Sequence, residues 1–160
     1  MHLSEVYTLE IAFLQFRSIM IVDMKAERKN LNFTEDNKKS KAYEFLKECG
    51  AFFVLSINGD YPAGRPFGAI MEVGNDLYLS TNDMNDAHKQ IRENEHIQIV
   101  AKKAESREWI RITGIATESD NQELKQRMLE ECPILQQRFG AVGMEHFIMF
   151  KVKVENVEIK

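Results

Sequence analysis

Apolar residues along this chain switch between a three-to-four-residue period and a two-residue period, and the switches mark out the elements. Ala42, Phe45, Leu46 and Cys49 fall at i, i+3, i+4 and i+7, one face of a helix that Ser40 can cap. Gly50 follows at once and suits the residue that ends a helix. Residues 51–57, Ala-Phe-Phe-Val-Leu-Ser-Ile, are β-prone and nearly all apolar, which predicts a buried strand. Asn58-Gly59-Asp60 signals a hairpin. A second strand is expected from about Ala63 to Val73, with Pro62 and Pro66 marking an edge or a bulge. Gly74-Asn75-Asp76 then turns the chain into Leu77-Tyr78-Leu79-Ser80-Thr81.

Asn82 to Asn94 predicts a short helix with Ala87, Gln90 and Ile91 on its inner side. Ile97 to Ala101 and Trp109 to Ala116 alternate as half-buried strands do. Residues 121–131 form another amphipathic helix, ended before Pro133 by that proline's restriction on its neighbour. Phe147 to Ile159 alternates again and is expected to close the sheet. About six hairpin-linked strands, with helices between some of them, point to a mainly β, antiparallel sheet closed into a barrel. Residues 40–160 read as one domain without repeat or linker, and residues 1–39 as an N-terminal extension.

In that extension, Leu9 to Val22 is apolar but interrupted by Glu10, Gln15 and Arg17. It falls short of the ~20 apolar residues that span a bilayer. The basic start and small-residue cleavage site of a signal peptide are missing, so the protein is expected in the cytoplasm, off the membrane. Ile11, Leu14, Ile19 and Val22 allow an amphipathic helix. Residues 1–23 are read as dispensable, with a dimer arm as the rival reading.

Composition narrows the function. The 160 residues carry 44% hydrophobic and 29% charged side chains, an ordinary globular balance. The net charge of −4 and the lack of a basic stretch argue against a nucleic-acid partner. Cys49 and Cys132 are far apart and outside any metal-ligand spacing, which suits two free thiols. His2, His88, His96 and His146 are isolated from one another, so no metal site is expected. Dinucleotide-binding, phosphate-loop, zinc-protease and nucleophile-elbow motifs are all missing.

Three segments are unusual for a barrel that has only to fold. Gly64-Arg65-Pro66-Phe67-Gly68 puts two glycines and an arginine in a strand, which suits either close approach by a ligand or a bulge with a surface arginine. Leu79-Ser80-Thr81-Asn82, leading to Lys89-Gln90-Ile91, sets hydroxyls and an amide before a helix N-terminus. That arrangement suits an anion, or simple capping by Asn82 or Asp83. Trp109-Ile110-Arg111-Ile112-Thr113-Gly114 places Trp109, Arg111 and Thr113 on one strand face, either as a surface cation–π pair or as an interface.

In this order and at these spacings, the segments from residue 41 to 158 resemble the pyridoxamine 5′-phosphate oxidase-related flavin-binding split barrels. The likeness is to the small nitroimidazole-resistance-like branch. The resemblance implies a six-stranded antiparallel split β-barrel, a homodimer, and FMN at the interface between the two subunits. It implies cofactor contacts from Arg65, Pro66, Phe67, Gly68, Ser80, Thr81, Asn82 and Lys89, with Arg65 near the phosphate. Trp109 and Arg111 would complete the partner's site, Arg111 beside the flavin ring. The flavin would carry the redox chemistry on a small-molecule substrate, and no catalytic acid or base is identified. A non-catalytic barrel binding haem or flavin for storage, sensing or regulation is the alternative. One departure stands out. Where the family commonly has basic residues gripping the phosphate, this chain has Asn85 and Asp86, which lowers the expected FMN affinity unless Lys89 substitutes.

Overall fold

The computed structural model describes residues 36–160 and, before them, Arg17, Met20, Ile21, Val22, Met24, Lys25 and Glu27. It divides into two compact units, Met1–Asn37 and Lys38–Lys160. In the first unit the described residues are helical and exposed. The expected helix positions Ile11, Leu14 and Ile19 lie outside the described residues.

The second unit begins with α1 (residues 38–49 within this unit), which ends where Gly50 takes φ +70° and its N–H donates to Leu46 O at 3.1 Å. Then come β1 (Phe52–Asn58), β2 (Tyr61–Phe67), β3 (Ile70–Val73), β4 (Asp76–Asn82), α2 (Asp86–Glu93), β5 (His96–Lys102) and β6 (Trp109–Glu118). They are followed by α3 (Gln122–Glu131), α4 (Pro133–Val142), a 3₁₀ turn (Met144–His146) and β7 (Phe147–Ile159). The sheet has seven strands in the order β2-β1-β5-β6-β7-β4-β3, with every pairing antiparallel.

The seventh strand corrects the expectation of one continuous strand from Ala63 to Val73. Gly68 and Ala69 break it, leaving β2 on one edge of the sheet and β3 on the other. In a flat sheet those edges would lie about 29 Å apart, at ~4.8 Å per strand spacing. The three peptide steps from Phe67 to Ile70 span at most about 11 Å. The sheet must therefore curl until its edges meet, and because β2 and β3 do not pair, the barrel is split there.

Two cores follow from this curl. Inside the barrel, Phe52, Val54, Ile70, Leu77, Leu79, Ile99, Ile110, Ile112, Phe150 and Val152 pack together, with Ala42, Phe45 and Leu46 of α1 and Ile91 of α2 added. Outside it, Met71, Tyr78, Phe147 and Met149 of β3, β4 and β7 pack against Met128, Leu129, Leu135 and Phe139 of α3 and α4. Hence nearly all of β4 is buried. The outer face of β1, β5 and β6 receives no helix from the second core. Phe53 stays 55% and Ile57 40% exposed there.

Gly114 sits where the β6–β7 register shifts, and a Cβ at this position would lie 2.7 Å from the Lys153 carbonyl oxygen. Backbone cannot yield as a flexible side chain can. Gly114→Ala is therefore expected to cost about 1–3 kcal/mol, measured by denaturant unfolding. A variant with unchanged stability would show that the two strands part easily at this point.

Candidate functional site

The split creates a cleft. Gly50 at the end of α1, the β2–β3 corner, the end of β4, the first turn of α2 and one face of α4 enclose a cavity of about 630 Å³. That lies within the roughly 300–1,000 Å³ typical of small-molecule and cofactor sites. Arg65, Pro66, Phe67, Gly68 and Ala69 line it from the corner, with Ser80 and Thr81 from β4. Asn85, Asp86 and Ala87 come from the start of α2, and Ile134, Leu135 and Arg138 from α4.

Strand register explains how Arg65 reaches this place. It pairs with Val54, which is fully buried, so its side chain points to the barrel's inner side at an edge strand. Its Nη1 donates to Ser56 Oγ at 2.7 Å, and its Nη2 donates to Gln90 Oε1 of α2. The Ser56 hydroxyl also donates to Gln90 Oε1, at 2.8 Å. Ser56 and Gln90 are themselves buried, so the pair forms a fixed seat for the guanidinium. Burial pulls Arg65 below its usual pKa, and the nearby Asp86 carboxylate pushes the other way. An arginine keeps its charge under such shifts. The seat leaves three of its five N–H donors for a ligand.

At the β4–α2 junction the helix is capped by Asn85 without a side-chain cap bond, and Asp86 stands in its first turn. Asn82 Oδ1 accepts the Met84 N–H at 2.7 Å, which holds the turn. Thr81 Oγ1 accepts weakly from Asn85 Nδ2 at 3.4 Å, so both partners keep hydrogen-bonding capacity toward the cavity.

Six of the ten anticipated contact residues thus line one cavity: Arg65, Pro66, Phe67, Gly68, Ser80 and Thr81. Asn82, Lys89, Trp109 and Arg111 do not. Asn82 is buried in its turn, while Lys89 points to solvent on the face of α2 opposite Gln90 and Ile91. Arg111 Nη2 donates to both Glu158 carboxylate oxygens, at 2.8 and 2.9 Å, and the guanidinium lies 5.8 Å from the Trp109 ring. Pro66, Phe53, Val100, Arg111 and Glu158 form one cross-strand row on the outer face. Arg111 is therefore three strand spacings, about 14 Å, from Pro66.

Asn85 and Asp86, expected beside the ligand phosphate, do line the cavity, whereas Ser56 and the whole of α4 are not singled out by the sequence. Pro133 was read only as a stop, yet proline at the first helical position also starts helices. Leu135 and Phe139, four residues apart, were the available signal.

The histidines have other partners. His88 is buried between the Asp83 carbonyl (3.3 Å) and Glu118 (3.1 Å), and His146 bonds Asp83 at 2.8 Å. Cys49 and Cys132 are free thiols. Among the described residues no helix is long and apolar enough to cross a membrane.

The family model for pyridoxamine 5′-phosphate oxidase matches residues 39–160. The chain belongs to this family. Among solved structures, a NimC/NimA family protein from Clostridium acetobutylicum is 30% identical, with a TM-score of 0.68. The match covers 77% of this chain and 91% of that one. An FAD-binding protein from Mesorhizobium loti is 11% identical, with a TM-score of 0.56 and coverage of 74% and 91%. The haem storage protein HutZ from Vibrio cholerae is 14% identical, with a TM-score of 0.56 and coverage of 76% and 94%. At those identities the last two show a shared fold alone. No curated protein matches the chain. Family membership and the antiparallel split-barrel fold agree with the reading of the sequence.

Proposed function

We propose that this split barrel binds FMN in the cleft between β2, β4, α2 and α4, as a homodimer, and serves as a flavin-dependent oxidoreductase of small molecules. The observation that carries this reading is the cavity itself. Residues from two distant sequence segments, Arg65–Gly68 and Ser80–Thr81, converge on one space of cofactor size. The lining also has the chemistry such a ligand needs. Pro66, Phe67, Ala69, Ala87, Ile134 and Leu135 offer apolar surface for a ring system. Arg65, Ser80, Thr81 and Arg138 offer donors, and two guanidinium groups face one carboxylate, Asp86, so the lining favours an anion.

A bound flavin would supply two-electron redox chemistry, which none of the lining side chains provides. The chain's own part is to hold and orient it. Arg65, braced by Ser56 and Gln90, presents its free N–H donors to ligand oxygens without having to order itself on binding. The cleft's open side and the bare outer face of β1, β5 and β6 support a two-fold pairing. Arg111 and Trp109, too far along the sheet to reach their own cleft, would then serve the partner's. Haem is the weaker reading, because the described cavity lining offers no His, Cys, Met or Tyr as an iron ligand.

The test is a fluorescence titration of FMN into the wild-type protein and Arg65→Ala. Loss of the braced guanidinium is expected to weaken binding about tenfold or more. An unchanged affinity, or no uptake by the wild type, would refute the placement.

A further inference from the structure

We propose that Arg138 of α4 is the cation that takes the ligand's phosphate, replacing the basic residues lacking at positions 85 and 86. This rests on the flavin reading and adds to it the residue that holds the phosphate. It gives to Arg138 the contact that the family resemblance gives to Arg65.

The two arginines of the cavity differ in what they already hold. Arg65 is bonded to Ser56 and Gln90, and Asp86 opposes its charge. Arg138 makes no hydrogen bond or ion pair with another described residue, and its recorded neighbour is the Phe139 ring, 5.9 Å away. Ile134, Leu135 and Arg138 share one side of α4, at i, i+1 and i+4, and all three line the cavity. Leu135 is buried in the outer core, which fixes the helix's rotation and keeps that side turned to the cleft.

The first turn of α2 is a poor place for a dianion. A helix N-terminus carries roughly half a positive charge, and Asp86 sits in that first turn with a full negative one. Arg138 is therefore the lining cation without a carboxylate partner among the described residues. A guanidinium suits a phosphate because its planar fork matches two oxygens at once. The hydroxyls of Ser80 and Thr81 line the same cavity and can donate to the ligand's uncharged oxygens.

Dissociation constants for FMN and for riboflavin, which lacks the phosphate, separate the two arginines. The wild type is expected to prefer FMN at least tenfold. Arg138→Ala should weaken FMN about ten- to hundredfold and leave riboflavin unchanged, erasing the preference. Arg138→Lys should retain part of it, and Arg65→Ala should weaken both ligands alike. A preference that survives Arg138→Ala, or that vanishes in Arg65→Ala instead, overturns the assignment while leaving the flavin reading intact. If neither flavin binds the wild type, the flavin reading fails and this assignment with it. Arg138 is solvent-exposed, so matching thermal melts of wild type and variant confirm that the fold is unaltered.

Discussion

Phe139→Ala is expected to lower the unfolding free energy by about 3–5 kcal/mol and to release α4 from the barrel. The ring is 1% exposed and packs 4.9 Å from the Phe147 ring at 55°, within reach of an edge-on aromatic contact. It anchors α4 to the outer core together with Leu135. A ten-residue helix has little stability of its own in water, so α4 depends on this packing. Because Ile134, Leu135 and Arg138 form one wall of the cleft, the same truncation should weaken ligand binding well beyond what its distance suggests. Urea unfolding measures the first effect, and Phe139→Leu, which keeps most of the volume, should lose less. A cost below about 1 kcal/mol would mean that something other than the outer core holds α4.

The second large effect concerns the bare face of β1, β5 and β6. Phe53→Asp should convert the proposed dimer into a monomer and abolish FMN binding, with little change in the thermal stability of the chain itself. Phe53 is more than half exposed and lies in the same cross-strand row as Pro66, Val100 and Arg111. A carboxylate there would lie in the proposed interface, where an unpaired buried charge costs several kcal/mol. The row also links the two functions. Pro66 belongs to the cleft and Arg111 lies about three strand spacings away, so in the proposed dimer Arg111 would serve the partner's cleft. A variant that keeps the dimer mass in gel filtration would place the interface elsewhere. One that becomes monomeric yet binds FMN normally would show that the site is not shared.

The sequence showed most of the sheet because alternation is a local signal. The strands around Ile99, Ile112 and Val152 stand where the two-residue period puts them, and the one around Val54 where its apolar run does. Trp109, Arg111 and Thr113 share the more exposed face, as read. The split at Gly68–Ala69 is not legible, because nothing local says that β2 and β3 lie on opposite edges of the sheet. Ser56 was hidden for a related reason. A serine in an apolar run reads as filler until the fold sets Arg65 and Gln90 beside it. Gln90 lies inward as its helical position predicts, while Lys89, a candidate phosphate contact for its charge, faces out. The half of the site that depended on residues close in sequence was visible. The half built by α4 depended on how two cores share one sheet.

The proposed sharing of a flavin site is tested most directly by gel filtration of the FMN-incubated protein, with absorbance recorded at both protein and flavin bands. The expected result is one peak of dimer mass carrying one FMN per chain. A monomer peak, or a dimer that elutes without flavin, would contradict it.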